Sequence, residues 1–212
     1  MTNSTDFDGL TSRAQVARYA ALAVLGSTAL TALGELGELA GVIDLQAIEN
    51  GPLEWLYVAV LLGGTLAYLI SVVAICLWIY RAHANLREAG REIEYSPGWA
   101  VGWYFIPIAN LFKPFGAMRE LWSESHLSED SYGGEAPGNL APWWGAWIIG
   151  NILSNVSLRL SLMGDGSNQQ IAIILSVAAN VFIIVAAWLI YQIVGTITQA
   201  QLSNLRVAEV FE

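Results

Sequence analysis

The chain has 212 residues, of which 55% are hydrophobic and only 13% are charged, and its formal net charge at pH 7 is −9. Soluble domains carry about 25% charged residues, so this composition excludes a disordered chain, a coiled coil, a disulfide scaffold and an ordinary cytosolic enzyme. The acidic balance argues against nucleic acid as a partner, because neutralising phosphates requires a basic face. An integral membrane protein is the class that remains.

Four apolar segments are long enough to cross a bilayer, whose core of about 30 Å requires roughly 20 apolar residues in a helix. They predict an all-α fold, an integral membrane helical bundle with four transmembrane helices. The first segment follows two arginines and could be a signal peptide. However, its apolar residues continue beyond the length of a signal-peptide core and no clear cleavage site follows, which favours an uncleaved anchor. The four segments cover residues 19–41, 55–80, 143–163 and 171–197.

The cations predict the orientation of these segments. Arg13 and Arg18 precede the first segment, five further cations lie between the second and third, and Arg206 follows the fourth. Only Arg159 falls on the other side when both termini are cytoplasmic, so the positive-inside rule favours that topology. The predicted organisation is a cytoplasmic N-terminal segment 1–17, a membrane domain 18–200 and a cytoplasmic tail 201–212.

A fifth apolar segment, residues 99–112, reads WAVGWYFIPIANLF. It is too short to cross a membrane, and Pro107 would kink or end a helix there. We expect an interfacial or re-entrant aromatic element, with its rings at the depth of the lipid headgroups. The alternative, a true crossing, would place the C-terminal half outside and disturb the distribution of cations.

The region 81–122 combines cations with this aromatic element. Apolar residues recur at helical spacing from Ala82 to Ile93, which predicts that the second helix continues into the cytoplasm until Gly90 or the Ser96-Pro97-Gly98 break. The cations either bind anionic lipid headgroups or an acidic partner, or they set the topology and extend to the membrane surface. We call the following residues the cationic collar: Arg81, Arg87, Arg91, Trp99, Trp103, Lys113 and Arg119. The stretch after it, 123–141, is predicted to be an acidic, mobile loop.

Two sequence blocks in this region resemble the signature of a known family. The first, WIYRAHANLREAG, begins at Trp78, and the second, YSPGWAVGWYFIPIANLFKPFGAMRELW, ends at Trp122. Together they are similar to an uncharacterised bacterial membrane family, domain of unknown function 4328. The resemblance implies a multi-span membrane protein and carries no established activity. We therefore expect a multi-pass protein of the bacterial cytoplasmic (inner) membrane.

Polar residues inside the apolar segments are costly in hydrocarbon and point to a site by default. The third segment carries a polar stripe at positions i, i+4 and i+8, formed by Asn151, Asn155 and Arg159. Glu35 and Glu38 share one face of the first segment, at a depth similar to that of Arg159. We predict that Arg159 pairs with one of these glutamates across a helix interface. In a functional alternative these residues, with Asn180, begin an ion or proton path.

Signals for an enzyme are mostly absent from the sequence. It contains no P-loop, no dinucleotide fingerprint and no hydrolase or metalloprotease motif. His83, His126 and Cys76 fall short of a metal site, so we predict no catalytic, cofactor-binding or metal-binding residues.

The leading hypothesis for function is a non-enzymatic accessory or scaffold subunit. Its expected partners are membrane lipids and a membrane protein or a second copy of the chain. A G-x-x-x-G pattern at Gly37–Gly41 would serve close helix packing or a homodimer. The alternative function is a small transporter or channel with a polar lining between the helices.

Overall fold

The structure is a computed structural model that describes residues 6–44, 51–127, 138–163 and 168–211. In these ranges the chain is helical and contains no strand, which confirms the all-α prediction. Two short 3₁₀ turns, Trp103–Phe105 and Ala109–Leu111, interrupt the chain between the third and fourth helices. The helices are α1 (Phe7–Leu39), α2 (Pro52–Glu88), α3 (Pro97–Gly102), α4 (Lys113–His126), α5 (Leu140–Leu162) and α6 (Gln169–Phe211).

Three helices in the described part of the chain are long and apolar enough to cross a membrane: α1, α2 and the Gln169–Leu205 portion of α6. They contain the second and fourth predicted segments in full and the first segment as far as Leu39, and they fit a membrane protein. Helix α5 has 23 residues and contains the third predicted segment except for its last residue. It is not among the three candidate spans, because Asn151, Asn155 and Arg159 reduce its hydropathy. The structure thus supports three candidate spans.

Helix α1 ends in a Schellman motif. The backbone N–H of Gly41 donates to the carbonyl of Glu38 (3.0 Å), and the N–H of Val42 donates to that of Gly37 (2.9 Å). Gly41 has φ +70°, a conformation that costs a glycine little because it lacks a Cβ. The G-x-x-x-G pattern is therefore not a continuous helix-packing surface, since its second glycine terminates the helix.

Helix α2 ends in the same way at Gly90. Gly90 has φ +73°, its N–H donates to the carbonyl of Arg87, and the N–H of Arg91 donates to that of Leu86. Helix α2 extends to Glu88, eight residues beyond the predicted span of 55–80. The prediction that this helix continues beyond the apolar segment is confirmed, and of the two predicted end points, Gly90 and the Ser96-Pro97-Gly98 break, the helix ends at the first.

The aromatic segment 99–112 is folded into short turns. Ser96 caps α3 by accepting a hydrogen bond from the backbone N–H of Trp99, and Pro97 occupies the first turn. Further on, the N–H of Ala109 donates to the carbonyl of Pro107 (2.8 Å) across Ile108, whose φ is 69° and ψ −54°. This is a γ-turn with positive φ, which is rare and strained. A crossing by this segment would require a continuous helix, which the structure does not have.

Helix α4 follows directly and buries Met118, Leu121 and Trp122. It ends at His126, so it extends four residues into the segment 123–141 that we predicted as an acidic loop. Within that segment, residues 128–137 lie outside the described ranges.

The chain packs as two compact units. The first comprises Met1–Tyr19, Ser71–Pro142 and Leu189–Glu212, and the second comprises Ala20–Ile70 and Trp143–Trp188. The predicted membrane domain 18–200 therefore includes parts of both units. The cationic collar belongs to the first unit, and the predicted intramembrane polar residues belong to the second.

Candidate functional sites

Arg81 is held inside the first unit. Its guanidinium forms an ion pair with Glu88, donates to Oδ1 of Asn85 (2.7 Å) and lies 3.9 Å from the carboxylate of Asp6. Only 14% of the side chain is exposed. Arg81 therefore joins two turns of α2 to the start of α1, and it is not available to a lipid headgroup as the cationic collar requires.

Arg87 and Arg91 lie beside carboxylates. Arg91 is half-buried and donates to the carbonyl of Leu127 (3.0 Å), whereas Arg87 is exposed. Both line an open groove together with Glu92 and Glu94. Because opposite charges share this groove, it presents a weaker positive field than the count of arginines predicts.

Lys113 and Arg119 are the exposed cations next to the aromatic segment. The ammonium of Lys113 lies 5.6 Å from the ring centroid of Tyr95 and 5.8 Å from that of Trp103, within the range of a cation–π attraction. Trp103 packs in turn on Trp99, with ring centroids 4.8 Å apart. The structure brings the predicted cluster of Trp99, Trp103 and Lys113 together, and Lys113 remains exposed to solvent.

An exposed apolar edge lies in the same segment. Ile108, at the strained turn, is 78% exposed, and Phe105 and Phe112 are 67% and 68% exposed. Exposing such residues to water is unfavourable. The apolar edge consists of Trp99, Phe105, Ile108, Leu111 and Phe112, all of them exposed.

Glu120 of α4 fixes the connection between α2 and α3. Its carboxylate accepts hydrogen bonds from the backbone N–H groups of Glu94 (2.6 Å) and Tyr95 (3.1 Å). Partial burial raises the pKa of the Glu120 carboxyl; the two N–H donors oppose this rise, and the charges of Glu94 and Glu124 add to it. Through this bond α4 also positions Tyr95 against Lys113.

A buried polar network in the first unit escaped the sequence reasoning. His83 is fully buried, with Nδ1 hydrogen-bonded to the carbonyl of Ile79 (3.0 Å). Gln201 is also fully buried, and its amide donates to the carbonyl of Ala82 and to the hydroxyl of Ser125. The sequence feature that could have revealed this network is the spacing of Thr198, Gln201 and Leu205. They are three and four residues apart, which places them on one face of α6.

Glu35 is the buried carboxylate of the second unit, with 8% of the residue exposed. One oxygen accepts a hydrogen bond from the hydroxyl of Ser176, and the other accepts one from Nδ2 of Asn180 (2.8 Å). Glu38, one turn later, is hydrogen-bonded to Gln169. Both glutamates of α1 therefore contact α6, and Glu35 meets Asn180, which the sequence analysis had only grouped with it as part of a possible ion or proton path.

The structure does not join the polar stripe of α5 to these glutamates. Asn151 donates to the carbonyl of Trp147 (2.7 Å), and Asn155 donates to that of Asn151 (2.8 Å), so each side-chain amide donates a hydrogen bond within its own helix. Arg159 is exposed. Among the described residues the ion pairs involve Arg81, and none joins Arg159 to Glu35 or Glu38 as we predicted.

Gly34 allows α1 to approach the ring of Tyr57 closely. A Cβ at Gly34 would lie 2.1 Å from a ring carbon of Tyr57, which is buried. We expect Gly34→Ala to lower the free energy of unfolding by about 2 kcal/mol through overpacking, measured by denaturant titration in detergent. Gly26→Ala on the same helix is the control, because nothing lies within 4 Å of its Cβ. Equal stabilities of the two variants would contradict this packing.

The two blocks that carry the family resemblance include both buried helix positions and the exposed aromatic segment. Trp78, Asn85 and Leu86 of the first block are fully buried, and the second block forms α3, the 3₁₀ turns and α4 as far as Trp122. A family model described as "Domain of unknown function (DUF4328)" matches residues 45–199. The chain belongs to this family.

The DUF4328 match begins after α1 and ends within α6, so it includes the cationic collar and Asn180 but not Glu35. No curated protein and no solved structure gives a significant match to the chain.

Proposed function

We propose that the protein is a non-enzymatic accessory or scaffold subunit of the bacterial cytoplasmic membrane, and that its exposed collar cations bind anionic lipid headgroups. It crosses the membrane four times, with both termini in the cytoplasm. It associates with a membrane protein partner or with a second copy of the chain.

The length and bonding of α5 support its role as the fourth span. Its 23 residues extend about 34 Å at 1.5 Å per residue, which exceeds a bilayer core of about 30 Å. Asn151 and Asn155 bond to carbonyls of their own helix, which reduces the cost of placing them in hydrocarbon. With this fourth crossing, the cations other than Arg159 lie on the cytoplasmic side.

The observation that carries the proposal is the exposure of Lys113 beside the apolar edge. At a membrane surface, Phe105, Ile108 and Phe112 enter the boundary of the acyl chains, which removes their apolar area from water. Lys113, fixed on the rings of Tyr95 and Trp103, then lies at the depth of the phosphates. The 3₁₀ turns present these side chains on a single short segment.

The test uses the double variant Lys113→Gln and Arg119→Gln. Each cation near the surface contributes about 1 kcal/mol to the binding of anionic lipid, or about fivefold in affinity. We therefore expect the double variant to bind phosphatidylglycerol about 25-fold more weakly, with little change for phosphatidylcholine. Brominated lipids titrated into detergent-solubilised protein report binding by quenching tryptophan fluorescence.

The control is Arg159→Gln, which removes an exposed cation far along the chain from the cationic collar. It is expected to retain the wild-type affinity for phosphatidylglycerol. If Arg159→Gln weakens binding as much as the double variant does, the attraction reflects net charge and not the cationic collar.

A second candidate function, a small transporter or channel, is favoured by one observation. Glu35 is buried in a candidate span and hydrogen-bonded to Asn180, and ionisable residues in such positions often lie on ion or proton paths. Flux of protons or monovalent cations in liposomes, compared between the wild type and Asn180→Leu, separates this function from the scaffold.

A further inference from the structure

We propose that Glu35 binds and releases a proton inside the membrane domain, and that Oε1, the oxygen next to Ser176, carries the proton. This deepens the second candidate function without depending on it, because proton uptake by the carboxyl is measurable without any flux. It is also independent of lipid binding by the cationic collar.

The first argument is the absence of a counter-charge. Within the described residues, no Lys, Arg or His forms an ion pair with Glu35. A carboxylate buried in a candidate span without a cation is costly, and neutralisation by a proton removes that cost. Burial without a cation therefore favours the neutral, protonated carboxyl over the carboxylate.

The groups that face Glu35 add no positive charge. Glu38, three residues later on α1, is of like sign, and Tyr57 of α2 is an uncharged phenol close to both glutamates. From α6 come the neutral Ser176 and Asn180. Ionisation of Glu35 is therefore opposed by Glu38 and supported only by two hydrogen-bond donors.

The two donors differ in what they can do when a proton arrives. Nδ2 of Asn180 can only donate, so it remains bound to Oε2 in both protonation states. The hydroxyl of Ser176 donates to a carboxylate but can rotate and accept from an acid O–H. Protonation of Oε1 thus keeps every hydrogen bond of the carboxyl, changes its charge from −1 to 0 and requires only that the Ser176 hydroxyl reverse its direction.

The test is infrared spectroscopy of the full chain in lipid nanodiscs as the pH is raised. We expect the carbonyl stretch of a protonated, buried carboxyl to disappear as the pH rises. The band should be absent from Glu35→Gln and present in Glu38→Gln, the control one turn away, where it disappears at a lower pH because the like charge of Glu38 is removed. Ser176→Ala should shift its frequency, because the acid O–H loses its acceptor, and a merely structural serine would not do so.

A chemical test does not require any variant to fold. Dicyclohexylcarbodiimide reacts with protonated carboxyls in apolar surroundings, and peptide mapping locates the adduct. We expect labelling at Glu35, with a rate that falls about tenfold per pH unit above the pKa of this carboxyl and is unchanged by sodium. Labelling at Glu38 alone, no labelling at any pH, or protection by sodium would each overturn the proposal, the last by identifying a sodium site.

Discussion

Trp78→Ala is expected to lower the free energy of unfolding by about 4 kcal/mol, the typical cost of truncating a buried tryptophan. Trp78 is fully buried on α2, and its indole N–H donates to the hydroxyl of Thr198 (3.0 Å). The substitution leaves a cavity between α2 and α6. It also removes the hydrogen bond that the hydroxyl of Thr198 accepts from the indole N–H. Denaturant titration of the detergent-solubilised protein, followed by circular dichroism, measures the change.

Two controls separate the components of this effect. Trp55→Ala alters an exposed residue on the same helix and is expected to change stability by less than about 0.5 kcal/mol. Thr198→Val removes the hydrogen bond and retains the ring, and is expected to cost about 1 kcal/mol. Equal stabilities of Trp78→Ala and Trp55→Ala would contradict the burial of Trp78 in the first unit.

Arg81→Met is expected to destabilise the protein by about 3 kcal/mol. The change preserves the aliphatic stem but leaves Glu88 without its cation and the side-chain oxygen of Asn85 without its donor. Since Arg81 is largely shielded from solvent, added salt should screen little of this contribution. Thermal unfolding at low and high ionic strength measures both quantities.

Arg87→Met is the matched control for Arg81→Met. Arg87 is exposed and lies in the last turn of the same helix, so the expected change is within about 0.5 kcal/mol. A loss of anionic lipid binding without a loss of stability in Arg81→Met would reverse our assignment and return Arg81 to the cationic collar.

The sequence predicted the features that depend only on residues close to one another in the chain. The apolar run of α2, its extension beyond the apolar segment and its end before Gly90 follow from hydropathy, helical spacing and the conformational freedom of glycine. The short aromatic segment with Pro107 was correctly expected to lack a spanning helix. These are local properties, and they need no knowledge of which helices are neighbours.

The sequence did not predict which residues meet across helices. Glu35 and Arg159 were paired because they lie at similar depth, yet Glu35 contacts Ser176 and Asn180 of α6. Arg81 was assigned to the cationic collar because it follows an apolar span, whereas its Asp6 partner lies 75 positions earlier in the chain. Periodicity identifies a face of a helix, but only packing identifies what that face contacts.

The central claim, a membrane scaffold with a lipid-binding collar, is tested most directly by native mass spectrometry of the protein extracted gently from its own membranes. The account predicts that the wild type retains anionic phospholipid together with a stoichiometric partner or a second copy, and that Lys113→Gln with Arg119→Gln loses the lipid. A lone chain without bound lipid, or a double variant that retains as much anionic lipid as the wild type, would contradict it.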